Sequence, residues 1–225
     1  MTSGYESIYL GLIPRLADCD FQESAERLGL DYVDGTVRVR FLNRDYRITR
    51  EGVEPLDGRP VHVNNRSVLL YYLLSKGQGD PGDDYILFEN LPRMLSGLNL
   101  QTRVLQTPLE QYFGNDYLKF REAAMKLDGR EEESQVGKHR WRFRVLPKIP
   151  LEVVYYEADE EFPVDIQIKL EKTALGFLEF ECLAFMVGCF VHALIKATQS
   201  AARPAATLRR RKLFGTPERK GMPKP

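Results

Sequence analysis

Apolar and polar positions change period several times along the chain, and each change marks an element. Residues 5–29 carry helical signals: Asp20 stands where a helix cap belongs, Glu23 follows three residues on, and Gly29 is a natural stop. Thr36–Leu42 then alternates apolar and charged residues, Asn43-Arg44-Asp45 reads as a turn, and Tyr46–Thr49 returns. That is a hairpin buried on one face. Residues 51–60 are polar with Pro and Gly and read as a loop. Ser67–Ser75 is apolar nearly all round, a buried helix with Asn64 or Asn65 as its cap.

Lys76–Asp84 is a Gly- and Asp-rich loop, and Tyr85–Phe88 a short strand. Leu91-Pro92 opens a turn, and the pattern through residue 106 fits no single element. Thr107-Pro108 has the form of a helix start, with Pro at the first helical position and Glu110 three residues past Thr107. A further helix spans about 116–127 and stops near Gly129. The charged stretch 130–138 reads as a loop. Strands follow at Trp141–Leu146, Leu151–Tyr156 and Val164–Leu170, joined by short links that favour antiparallel pairing. The apolar helix 176–198 must cover that sheet, because it is too greasy to face water.

Helices and hairpins in separate blocks predict an α+β fold: an antiparallel sheet of hairpins packed against several helices. One domain over residues 1–200 is expected. Residues 201–225 are basic and Pro-rich and read as a disordered tail. The formal net charge of zero conceals a division. Residues 203–225 hold eight Lys or Arg against Glu218 alone, which leaves 24 basic and 31 acidic residues before them. An acidic body is a poor match for a phosphate backbone, so nucleic-acid contact is expected only through the tail.

Three scattered cysteines, Cys19, Cys182 and Cys189, form no disulfide framework, and with no CxxC or Cys/His cluster no zinc site or iron–sulfur cluster built by this chain alone is expected. A reducing, cytoplasmic setting fits this usage. The segment Phe177–Ile195 is interrupted by Glu179, Glu181 and His192, so a buried or interface helix is expected rather than a membrane span. No phosphate-loop, dinucleotide, nucleophile-elbow or zinc-protease pattern is present, and no catalytic residue is assigned.

Two groups of side chains could carry chemistry. His62, Asn64, Asn65 and Arg66 precede the central helix, where amide and guanidinium donors suit an anion. Asp45 and Tyr46 sit at the first hairpin's return. Glu157, Asp159, Glu160 and Glu161 crowd an acidic turn that could serve acid/base work or hold a divalent cation, with Phe162-Pro163 expected to pin Glu161. Asp80, Asp83 and Asp84 lack the spacing of a calcium loop. His139 is expected exposed, His192 a core histidine, and the thiols small hydrophobes.

Three segments resemble domain-of-unknown-function family 3786: Phe41–Ile48, Leu69–Leu74, and Leu146–Pro150 together with Glu160–Pro163. The resemblance covers roughly residues 20–197. In some members the domain follows an iron–sulfur module of the corrinoid-protein type, and neither that module nor its cysteines are in this sequence. The family's later strand ends in Phe-Asp, where this chain has Leu170-Glu171. The resemblance implies an accessory role near corrinoid or iron–sulfur proteins in one-carbon metabolism, with a corrinoid or iron–sulfur protein as partner. Independently, His62 could be an axial ligand for a corrinoid or haem, as imidazoles can be, and no particular cofactor is implied. Three functions therefore stand open: a ligand- or partner-binding protein, with Phe177–Ile195 as a homodimer face; an enzyme using the turn 157–161 against Arg66 and His62; and nucleic-acid contact through the tail.

Overall fold

The computed structural model describes residues 4–91 and 103–199; the expected tail lies outside the described residues. The fold is α+β. Helix α1 (Gly4–Leu12) runs through a 3-10 turn to α2 (Phe21–Leu28). The Asp20 carboxylate accepts from the Glu23 N–H at 2.9 Å, and Gly29 closes the helix in the left-handed conformation. Four strands follow as a meander: β1 (Asp31–Val33), β2 (Thr36–Phe41), β3 (Arg44–Thr49) and β4 (Gly52–Pro55). The β2–β3 turn is Leu42-Asn43, both at positive φ, rather than Asn43-Arg44-Asp45. Two left-handed residues match the twist of a two-residue hairpin, so Arg44 and Asp45 already belong to the strand.

Residues 51–60 are not all loop, because β4 completes this sheet. Gly52 makes it possible at φ +131°, where a β-carbon would collide with the Tyr9 hydroxyl. That hydroxyl accepts from the Val53 N–H at 2.9 Å and ties α1 to the sheet.

Helix α3 (Val63–Leu74) crosses to the second half. Its cap is His62, whose Nδ1 accepts from the Asn64 N–H at 3.2 Å, in place of the expected Asn64 or Asn65. The second sheet has the order β5-β9-β8-β7-β6, antiparallel throughout. Its strands are β5 (Tyr85–Leu87), β6 (Arg130–Gln135), β7 (Lys138–Leu146), β8 (Ile149–Tyr156) and β9 (Asp165–Glu171). β6 falls in the stretch read as loop. Its residues show no alternation because it is an edge strand facing water on both sides, and charges there discourage edge-to-edge pairing.

The remaining helices are α4 (Arg103–Phe113), α5 (Tyr117–Lys126), the short α6 (Ala174–Phe177) and α7 (Phe180–Gln199). α4 starts ahead of Thr107 and keeps Pro108 inside it, so the proline does not mark the first turn. Having no N–H, Pro108 leaves one helical bond unmade. α7 packs against α3, α4 and α5, and its Phe190 ring meets Phe143 of β7 at 4.8 Å between centroids. By length and composition α7 could cross a membrane, and half of its apolar stretch is buried within the protein. His192 points outward from it and is exposed, against the expectation of a core histidine. One continuous apolar cluster joins both sheets and the helices.

Candidate functional site

The structure scatters part of the expected constellation. At the start of α3, His62 is exposed and serves as the cap. Arg66 turns toward α1: its guanidinium lies 4.4 Å from the Tyr9 ring centroid and 3.4 Å from the Glu6 carboxylate. Tyr46 is fully buried, and burial raises its pKa; Asn65 and Arg44 are its polar neighbours. Asp45 faces the other way, as alternate strand residues must, and pairs with Arg40 at 3.4 Å. Tyr46 and Asn65 thus come together, while Asp45 leaves the group.

The acidic turn is organised by its own backbone. Asp159 accepts from the N–H groups of Glu161 (2.9 Å) and Phe162 (2.7 Å), which hold its carboxyl below the usual range. Ala158 donates to the Asn115 side chain at 2.8 Å. Glu160 and Glu161 are exposed, and Phe162 does not pin them, being 65% exposed itself. The contacts of this turn run to Asn115, Gly137 and His139, away from α3.

His139 is buried rather than exposed. Nδ1 lies 2.8 Å from the Ser134 hydroxyl, Nε2 2.6 Å from Glu157, and the ring stacks on Tyr117 at 3.5 Å. The signal was in the period: His139, Trp141 and Phe143 share one face of β7. Tyr117 in turn has its pKa raised by burial and by the hydroxyl's bond to Glu131.

A further concavity lies elsewhere. A cleft of about 1020 Å³ runs between the two sheets. One wall is β1 and β2 (Asp31, Arg38–Arg40) with the turn Leu42-Asn43. The other is β7 (Arg142–Val145) with the turn at Pro147, and Leu127–Arg130 and Pro81–Asp83 close the sides. Two of the three motif segments build it. Asn43 Nδ2 donates to the Lys126 carbonyl at 2.6 Å, and Arg40 reaches Asp128 at 2.9 Å, fixing the first hairpin on the end of α5. At the other end, Tyr72 of the Leu69–Leu74 motif donates to the Leu28 carbonyl and accepts from the Lys148 N–H, both at 3.0 Å. This one hydroxyl locks the Pro147-Lys148 turn onto the end of α2, where Gly29 leaves room for the Pro147 ring.

Five arginines and four acids line the cleft, a small cationic excess. Arg40 is paired with Asp128, and Arg142 with Asp83 at 3.1 Å while covering the Tyr85 ring at 5.0 Å. The Arg142 Nε is buried without a hydrogen-bond partner. Arg38, Arg130 and Arg144 also line the cleft, and all three are exposed. Among the described residues none of these three has an ion pair; the remaining acids on the wall are Asp31 and Glu132. Sequence reasoning missed these arginines because they come from three strands of two sheets. Asp80 and Asp84 are consumed in pairs with Lys148 and Lys172. Among the described residues no group of three or more His, Cys, Asp or Glu is placed to hold a metal ion.

These features define an α+β protein with an arginine-lined cleft between two antiparallel sheets. The chain belongs to the family described as Domain of unknown function (DUF3786), whose model matches residues 20–193 and takes in all three motif segments. No curated protein and no solved structure matches it.

Proposed function

We propose that this is a ligand- or partner-binding protein that takes an anionic group into the cleft between its sheets. The carrying observation is the set of three arginines, Arg38, Arg130 and Arg144, facing a cavity of about 1020 Å³ without ion pairs among the described residues. A guanidinium keeps its charge at any physiological pH and offers a planar fork to carboxylate or phosphate. The volume is at the upper end of the roughly 300–1,000 Å³ range of small-ligand sites. The motif segments are spent on holding the walls apart at fixed places, which is how a preorganised site is built.

The family resemblance supports the finer reading of an accessory protein acting beside corrinoid or iron–sulfur proteins, in the cytoplasm. α7 is then a core helix that also offers a homodimer face at Phe185, beside a groove of about 390 Å³ shared with Tyr5 and Ile8. Phe185→Glu would reduce a dimeric mass to the monomer's in native mass spectrometry; a mass that does not respond removes this face from the account.

Calorimetric titration with pyrophosphate at low salt tests the cleft. Binding should weaken at least tenfold in the Arg38→Ala/Arg130→Ala/Arg144→Ala variant and fade as salt screens the site. Equal affinity in that variant would place the anion site elsewhere.

A further inference from the structure

The cleft walls also expose main-chain groups. β1 leaves β2 at the Asp31–Arg38 pair, but β2 runs on to Phe41 with β3 alone beside it. β6 leaves β7 at the Arg130–Arg142 pair, but β7 runs on to Leu146 with β8 alone beside it. Both single-sided stretches line the same cleft.

Turn geometry says which groups point into it. Residues flanking a two-residue turn exchange both hydrogen bonds, and the direction alternates along the strand. Thr36 flanks the Asp34-Gly35 turn facing β1, so Arg38 and then Arg40 present N–H and C=O on that side. Lys138 flanks the Val136-Gly137 turn facing β6, so Arg140, Arg142 and then Arg144 do the same. At Arg40 and at Arg144 the neighbouring strand has ended. Among the described residues no hydrogen bond outside the ladders reaches either main chain.

We infer that the cleft is a strand-addition site for an extended, acidic peptide segment of a partner protein. This rests on the anion-binding reading of the same cleft and names its ligand class. An open edge at Arg40 or at Arg144 supplies main-chain pairing, and a strand added there takes its affinity from backbone bonds and its choice of side chains from the walls. Arg38, Arg130 and Arg144, without ion pairs among the described residues, select carboxylates. The chain's own residues 203–225 carry eight bases against one acid, the same sign as these walls, so charge disfavours them as the occupant.

The test uses a labelled peptide, acetyl-Glu-Thr-Glu-Val-Glu-Thr-Glu-amide, its all-lysine counterpart, and two versions N-methylated on odd or on even amides. Anisotropy reads binding, and amide exchange reads Arg40 and Arg144. The acidic peptide should bind, and the lysine peptide should not. One methylation phase should weaken binding at least tenfold while the other leaves it intact, because only alternate N–H groups face the protein. Exchange should slow at least tenfold at Arg40 or at Arg144, whichever edge the strand joins. If both methylated peptides bind equally, or neither amide is protected, strand addition is overturned while competition by pyrophosphate keeps the anion site. If an oligothymidylate binds the cleft and the acidic peptide does not, the peptide inference also fails. If neither pyrophosphate nor the acidic peptide binds, both readings fall together.

Discussion

At the residue scale, a few side chains hold the cleft in place, and their loss is measurable. Gly52 combines φ +131° with the Tyr9 hydroxyl where a β-carbon would go. Gly52→Ala should cost about 1–3 kcal/mol, read as a fall of roughly 2–4 °C in melting temperature per kcal/mol. Tyr72→Phe removes a hydroxyl that both donates and accepts in the interior. It should cost about 1–3 kcal/mol in urea denaturation, since the Leu28 carbonyl and Lys148 N–H lose their partner. Cys182 and Cys189 have thiol pKa values pushed up to about 12 by burial. An unfolded chain would ionise them near the ordinary thiol range, so the unfolded state binds fewer protons at high pH. Stability is therefore intact below about pH 8.5 and falls as pH rises from there toward 12. Urea midpoints between pH 8 and 10.5 should decline, and more gently in the Cys182→Ala/Cys189→Ala protein.

At the element scale, the β2–β3 hairpin matters most, because its turn is both a cleft wall and a tether. Asn43 sits at φ +58° and donates to the Lys126 carbonyl. Asn43→Ala loses the residue type that tolerates this conformation and the tether together, an expected cost of about 1–2 kcal/mol. Slower exchange at other sites would stay unchanged, while amide exchange in β2 and β3 should accelerate.

Elements whose sequence carried a period were legible: β2, β3, β7, β8, β9 and the helices α2, α3, α5 and α7. β4 was hidden because four residues around a glycine carry no alternation, and β6 because a two-sided edge has no apolar face. The start of α4 was misplaced because Pro108 imitates a first-turn proline. The division into two sheets was not legible at all, since it depends on which strands pair at a distance. The cleft went unseen for the same reason: Arg38, Arg130 and Arg144 converge only through tertiary packing. His139 could have been placed from the alternation of β7. The acidic turn was found, but its order comes from Asp159 and its neighbours' N–H groups rather than from Phe162-Pro163 packing.

At the scale of the whole molecule, two sheets are joined by one apolar cluster and separated on one side by a cavity that three motif segments brace. The division of charge adds to this picture. Residues before 203 are acidic in sum, yet the cleft gathers five arginines, of which Arg38, Arg130 and Arg144 have no ion pair among the described residues. A local cationic site in an acidic body selects its ligand by geometry, because long-range attraction to anions is weak. The most direct test follows the arginine side-chain Nε–Hε signals by NMR while pyrophosphate is added. Shifts confined to Arg38, Arg130, Arg142 and Arg144, and suppressed by high salt, are the predicted result. Shifts that spare these four and fall on the C-terminal basic run would contradict the assignment of the cleft as the binding site.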